Sequence, residues 1–263
     1  METGLIKPII KVGNSAGVIL PREWLNGQAR IELIKKPLNI KSEIFEILSD
    51  YLNEIKGIYL VGSYARDEET LESDVDVLSI TEKTNSKIES GKYNIILITE
   101  EELKDSLANN IFPVLPMLKE AKTVLNGNLI ESYKDTPLTK KNLSFHIETT
   151  KTALNVNKEA IKLSEMEKEN ISDNFMYSLV LRLRGVYLVD CLINGKIATT
   201  KGLISIIKHL TGSLISYDSY IRSKNDKRSQ RIVNINDAKA IYSYVLKKIT
   251  EQEKWIKRKE KRR

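Results

Sequence analysis

Asp74 and Asp76 alternate with Val75 and Val77 in the stretch DVDVLSI. In a β-strand, residues i and i+2 point to one face, so both carboxylates project together while the valines face the other way. Two neighbouring carboxylates repel, and their burial is costly unless a cation compensates. A divalent ion does so: Mg²⁺ (or Mn²⁺) is usually held by one or two carboxylates together with substrate phosphates. Upstream, Gly62-Ser63 ends a second apolar run, GIYLV. Backbone N–H groups at such a turn cradle anions, and glycine permits close approach. The chemistry implied is a metal nucleotide held between a phosphate-binding turn and a metal-binding strand.

The elements that must position these residues differ in texture along the chain. Residues 1–37 carry short β-like runs (LIKPIIKV, GVIL, ARIELI) broken by Gly13-Asn14-Ser15 and Asn26-Gly27, which read as small hairpins. Residues 38–135 alternate helix-like and strand-like stretches. SEIFEILSDYLNEI has helical spacing with Ser42 as its cap, and the strands GIYLV, VDVLSI, YNIILI and KTVL follow in turn. Thr99 with Glu102 three residues later is a capping-box pattern, opening a helix after YNIILI. This alternation argues an α/β layer. Residues 136–263 are dominated by helical spacing, with turns at Asn194-Gly195 and Thr211-Gly212, and read as an antiparallel helical bundle. The fold class expected is therefore α+β and multi-domain.

The stretch from Gly62 to Asp76 resembles the nucleotidyltransferases of the DNA polymerase beta superfamily, in particular the minimal and kanamycin-nucleotidyltransferase-like branches. The family pattern is Gly-Ser, a small residue and Arg-Gly, a spacer, then Ser-Asp-x-Asp; here it is carried by Gly62, Ser63, Ala65, Arg66, Ser73, Asp74 and Asp76. The resemblance spans roughly residues 42–135. It implies a mixed sheet, and Mg²⁺-NTP (ATP being the expected nucleotide) bound by Asp74 and Asp76, with phosphate contacts from Gly62, Ser63, Arg66 and Ser73. It also implies in-line attack of a hydroxyl on the α-phosphate with release of pyrophosphate. Two positions depart from the pattern. Asp67 stands where the family has glycine after the arginine. Asn94 stands in YNIILI where the family has a third carboxylate that helps bind the catalytic metal and activate the hydroxyl. Substitutes stand in the sequence at Glu72, before the pair, and at Glu100 or Glu101, after the strand.

Lys11–Leu25, KVGNSAGVILPREWL, resembles the swapped-hairpin AbrB-like domains, including the MazE-type antitoxin group: a basic residue, Gly-Asn-Ser, a short strand, Pro21 and a helical turn. A segment this short cannot bury a core alone. In that family two copies interlock, which implies a homodimer through residues 1–37, with Lys7, Lys11, Arg22 and Arg30 as DNA-binding candidates.

Charge supports polyanionic partners. The net charge is +7, and +6 of it falls in the last ten residues, KWIKRKEKRR. Such a tail attracts nucleic acid by counterion release, and cations also suit a helix C-terminus. In the helical half, residues 177–226 resemble bundles attached to some nucleotidyltransferases. There Arg182 or Arg184 would touch phosphates and Tyr217 or Tyr220 would line the acceptor site. Against this stands the reading of Arg182, Arg184 and Tyr187 as ordinary residues of an amphipathic helix. His146 and His209 do not follow an arginine at the spacing of the related RNase bundles, which argues against RNase activity. The lone Cys191 reads as core and points to a reducing cytoplasm. No run is long enough for a membrane helix. The sequence therefore leads to two functions. One is a cytoplasmic nucleotidyltransferase acting on a hydroxyl of a protein, an RNA end or a small molecule, with the hairpins and the cationic tail favouring a macromolecule. The other is a DNA-binding regulator or antitoxin-like dimer with a nucleotide-sensing transferase domain.

Overall fold

The computed structural model describes residues 5–32, 39–71 and 73–261. The chain forms two compact units, Met1–Glu43 and Ile44–Arg263.

In the first unit, β1 (Ile10–Val12) and β2 (Ser15–Gly17) form an antiparallel hairpin whose turn contains Gly13. Pro21 leads into a one-turn 3-10 helix, Arg22–Trp24. The strands here are shorter than the sequence pattern predicts: GVIL keeps strand structure only through Gly17, and residues 29–32 of ARIELI are not a strand, while residues 33–34 lie outside the described residues. Apolar residues of this unit are exposed, among them Ile6, Ile9, Val12, Ile19, Leu25 and Ile31. Lys7, Lys11, Arg22 and Arg30 are exposed as well. Helix α1 (Ile40–Ile47) spans the division between the units. Its cap is Asn39, not Ser42: the Ser42 N–H donates to Asn39 Oδ1 at 3.3 Å, which places Ser42 inside the first turn.

The second unit is built on a five-stranded mixed sheet in the order β5-β6-β4-β3-β7. The strands are β3 (Ile55–Val61), β4 (Val75–Thr81), β5 (Ser86–Ser90), β6 (Tyr93–Thr99) and β7 (Lys122–Leu125). Only β4 and β6 run parallel. A short helix, α2 (Gly62–Ala65), leaves β3 directly. Helices α3 (Glu100–Asn109), α4 (Val114–Glu120) and α5 (Gly127–Lys134) complete this half. Thr99 caps α3 by accepting from the Glu102 N–H. On the sheet face it shares with Leu78, its pairing partner, Tyr59 is fully buried, and its ring lies where a side chain at residue 57 would have to go, which favours glycine there.

The remaining chain is helical: α6 (Lys140–Glu167), α7 (Asp173–Ile193), α8 (Thr200–Thr211), α9 (Ile215–Lys224) and α10 (Ile235–Glu260), with a two-strand clip of β8 (Ile171–Ser172) and β9 (Arg231–Val233). The period-2 pattern of the strands explains the packing. Leu78, Ile80 and Ile98 lie on the same sheet face as Asp76, and they join Leu103, Leu143, Leu179 and Val245 of the helices in one apolar core. Asp76 therefore stands at the margin of a sheet face covered by helices. The basic C-terminal segment continues α10: Ile256 is buried and Lys259 lies over the Trp255 ring at 4.9 Å.

One buried charge holds the helical half together. Asp173, at the start of α7, is fully buried and accepts from Arg222 Nε (2.9 Å) and Nη2 (2.7 Å), Ser219 Oγ (2.5 Å) and the Gln230 N–H (3.0 Å). Arg222 foremost, with these other donors, holds its carboxyl down at about 2. Breaking a buried pair from one side leaves the other charge uncompensated, so Asp173→Asn should cost about 3 kcal/mol. Because the folded pKa is depressed, the stabilisation is full above the ordinary carboxylate range and is lost as pH falls towards 2. Urea denaturation at pH 7 and pH 3 should show a smaller gap between wild type and variant at the lower pH.

Candidate active site

The turn after β3 and the start of β4 meet side by side, because Val61 pairs with Asp76. Gly62 follows with φ +71°, in the left-handed region that glycine occupies without strain. A Cβ built on it would lie 2.4 Å from Asp76 Oδ2. Glycine is thus required twice at this position, for its backbone angle and for the carboxylate that packs against it.

Asp76 is half-buried and Asp74, just before β4, is exposed. Burial, then the Asp74 charge, push the Asp76 carboxyl above its ordinary range, against the pull of Asn94, Lys224 and Arg66. The register of the parallel pair sets Asn94 directly beside Asp76, and its side chain hydrogen-bonds the carboxylate. The residue on the next strand is therefore an amide engaged with the carboxylate. The alternatives offered by the sequence do not replace it. Glu100 and Glu101 begin α3 at the other end of β6, six residues and about 20 Å along the strand from Asn94. Glu100 is further committed there to Lys56, Lys104 and Tyr133, Lys104 above all holding its carboxyl down at about 2. Glu72 lies outside the described residues.

Arg66 braces the turn. Its Nη1 donates to Glu120 Oε2 at 2.6 Å and its Nε to Glu68 Oε2 at 2.9 Å, while Glu120 Oε1 accepts the Gly62 N–H at 2.7 Å. Glu68 in turn accepts the Thr200 and Lys201 N–H groups at the start of α8. The guanidinium is thus spent on two largely buried carboxylates, and sequence reasoning gave no sign of either partner. Burial outweighs the Arg66 contact at Glu120, whose carboxyl is held above its ordinary range. Asp67, which stands in place of a glycine, keeps the glycine-like backbone with φ +55°. Its carboxylate is exposed and pairs with Lys122 at 2.6 Å, so it faces away from Asp76. Ser73 Oγ accepts the Thr70 N–H at 2.8 Å and so closes the loop between the turn and β4.

The helical half faces the same corner. Lys224, at the C-terminal end of α9, lies within electrostatic reach of Asp76, and Arg184 of α7 within reach of Glu120 and Tyr217. Lys224 was not singled out by the sequence, because nothing in its surroundings distinguishes it from other surface lysines. Arg182 lies within electrostatic reach of the buried His146, whose imidazole is pushed down to about 4 chiefly by burial. Tyr220 is buried and stacked on Tyr177, and the Tyr187 hydroxyl accepts the Thr199 N–H. Cys191 is buried and free, and His209 is exposed.

The donor set fits a divalent ion that arrives with phosphates. Two adjacent carboxylates, one with its proton affinity raised first by burial and then by its neighbour, ask for a cation. Among the described residues no group of three His, Cys, Asp or Glu side chains forms a metal site by itself.

Residues 41–181 match the model of the nucleotidyltransferase domain, and the chain belongs to that family. The match runs from α1 through the sheet and into α7. Among solved structures, a nucleotidyltransferase-like protein from Exiguobacterium sibiricum 255-15 is similar at 13% identity and a TM-score of 0.38, over 81% of this chain and 76% of that one. A spectinomycin adenyltransferase from Enterococcus faecialis, solved with ATP and spectinomycin, is similar at 14% identity and a TM-score of 0.38, over 80% of this chain and 97% of that one. The family assignment rests on the sequence match alone. No curated protein sequence matches the chain. Among the described residues no helix is long and apolar enough to cross a membrane.

Gly62→Ala tests the contact on which this geometry turns. The left-handed backbone costs an alanine about 1–2 kcal/mol, and the added methyl must push Asp76 aside. Equilibrium denaturation should show at least that loss, and binding of Mg²⁺-ATP measured by calorimetry should fall with it.

Proposed function

We propose that the chain transfers a nucleoside monophosphate from Mg²⁺-NTP, with ATP as the expected donor, to a hydroxyl on a macromolecule. The observation that carries this reading is the packing of the Gly62 turn against Asp76, in a chain that matches the nucleotidyltransferase domain over residues 41–181. Asp74 and Asp76 would hold the metal, and the metal when bound would neutralise phosphate charge. Gly62 and Ser63 line the phosphate side. Arg66 braces that turn through Glu68 and Glu120, and a phosphate contact from it would need one of these carboxylates displaced. Ser73 sets the loop that delivers Asp74.

A second reading is favoured by Asn94: a regulator that binds Mg²⁺-NTP without turnover. An amide beside Asp76 supplies neither a negative charge nor a base. Both readings share a proposed homodimer through residues 1–37, supported by the exposed apolar side chains of that unit, which have too little chain around them to form a core. Lys7, Lys11, Arg22, Arg30 and the basic end of α10 are the proposed contacts to DNA or RNA. A protein acceptor, by contrast, would not need those contacts.

ATP labelled at its α-phosphate separates the readings. Active transfer should label an acceptor or the chain itself and release pyrophosphate, and Asp74→Asn or Asp76→Asn should lower the rate by at least about 100-fold. Unchanged labelling in both variants would overturn the site assignment. Deleting residues 1–37 should halve the mass in solution, measured by light scattering, and should weaken salt-sensitive retention of duplex DNA.

A further inference from the structure

The edge strand β5 carries two charged side chains that the site described above leaves unused. Lys87 and Glu89 stand two residues apart and project from one face. Register decides which face. Glu89 pairs with Asn94, and Asn94 pairs with Asp76, so the three residues form a row across β5, β6 and β4. Directly paired residues put their side chains on the same side of a sheet. With strands about 4.8 Å apart, Glu89 stands roughly 10 Å from Asp76 and half that from Asn94. Lys87 pairs with Ile96 on the same face, close enough to feel the Asp76 charge. The Lys87–Glu89 ion pair, at 2.5 Å, is exposed at both ends. Solvent-facing pairs of this kind contribute little to stability, so a ligand opens them easily.

The order of the row also has a direction. From β3 to β5 the margin of the sheet presents the Gly62 turn, then Asp76, then Asn94, then the Lys87–Glu89 pair. In-line displacement sets the attacking oxygen opposite the leaving pyrophosphate. With the β- and γ-phosphates on the turn beyond β3, the acceptor comes in over β6 and β5. The amide of Asn94 takes no proton, and Glu89 is the carboxylate that shares its row.

Resting on the transfer reading above, we propose that Glu89 is the acceptor-side base of this chain, set one strand beyond the position where Asn94 stands. The acceptor hydroxyl oxygen forms a bond to the α-phosphorus as the P–O bond to the β-phosphate breaks. Pyrophosphate leaves with that bonding pair, and the hydroxyl proton passes to the Glu89 carboxylate. Lys87, freed from Glu89, turns its charge to the phosphoryl group.

The test uses the full chain with α-phosphate-labelled ATP, with water and the chain's own hydroxyls as acceptors, and calorimetric binding of Mg²⁺-ATP beside it. Glu89→Gln should lower pyrophosphate release by at least about 100-fold while Mg²⁺-ATP affinity stays within about two-fold of wild type. Glu89→Asp should keep part of the rate. Asn94→Asp added to Glu89→Gln should restore release, because a carboxylate then returns to the adjacent strand. Release at the wild-type rate in Glu89→Gln, together with its loss in Asp76→Asn, would overturn the role of Glu89 and leave the transfer reading standing. A Glu89→Gln variant that loses nucleotide affinity as fast as it loses rate would overturn it too, since Glu89 would then be a binding group. A wild-type chain that binds Mg²⁺-ATP and releases no pyrophosphate would overturn both.

Discussion

The contact between Gly62 and Asp76 is the constraint on which the rest of this corner depends. Two neighbouring antiparallel strands meet here, one turning into α2 and the other carrying Asp76 as its second residue. The space between them admits no Cβ. The turn proposed to receive phosphate and the carboxylate proposed to receive metal are therefore held together by the backbone itself, without any flexible side chain between them. Such closeness is costly for the carboxylate, which burial and Asp74 hold above its ordinary range. Cations from three other elements offset that cost: Arg66 after α2, Lys224 on α9 and, through the edge strand, Lys87.

Arg66 couples this corner to the helices. Through Glu120 it reaches the Gly62 N–H, and through Glu68 it reaches the first turn of α8. The turn and the helical half share hydrogen bonds as well as an apolar core, so motion of α8 relative to the sheet must act on the turn. Asp173 does comparable work deeper in the helices, tying α7 to α9 and hence fixing where Lys224 stands.

Much of this was legible in the sequence. Gly-Ser and Asp-x-Asp at the ends of apolar runs located β3 and β4, the run YNIILI located β6, and long 3.6-period runs located α6, α7 and α10. What escaped has physical reasons. Strand β5 reads SKIES, with Ile88 its only large apolar residue, because an edge strand faces little core; hence the row through Glu89 appears only once register is known. Glu68 and Glu120 look like surface acids in sequence, and only the fold brings both to Arg66. Glu100 seemed available by distance along the chain, yet a strand carries it about 20 Å from Asn94. Asp67 departs from the family's glycine, yet it keeps a left-handed backbone and turns outward to Lys122.

The central claim is that two carboxylates and a phosphate turn make one site for a metal and a nucleotide together. Calorimetric titration of the full chain with Mg²⁺ alone, with ATP in chelator, and with both, tests it most directly. The account predicts weak binding of either ligand alone, much tighter binding of the two together, and loss of that linkage in Asp76→Asn. Tight binding of Mg²⁺ without nucleotide, or of ATP without Mg²⁺ and unaffected by Asp76→Asn, would contradict it.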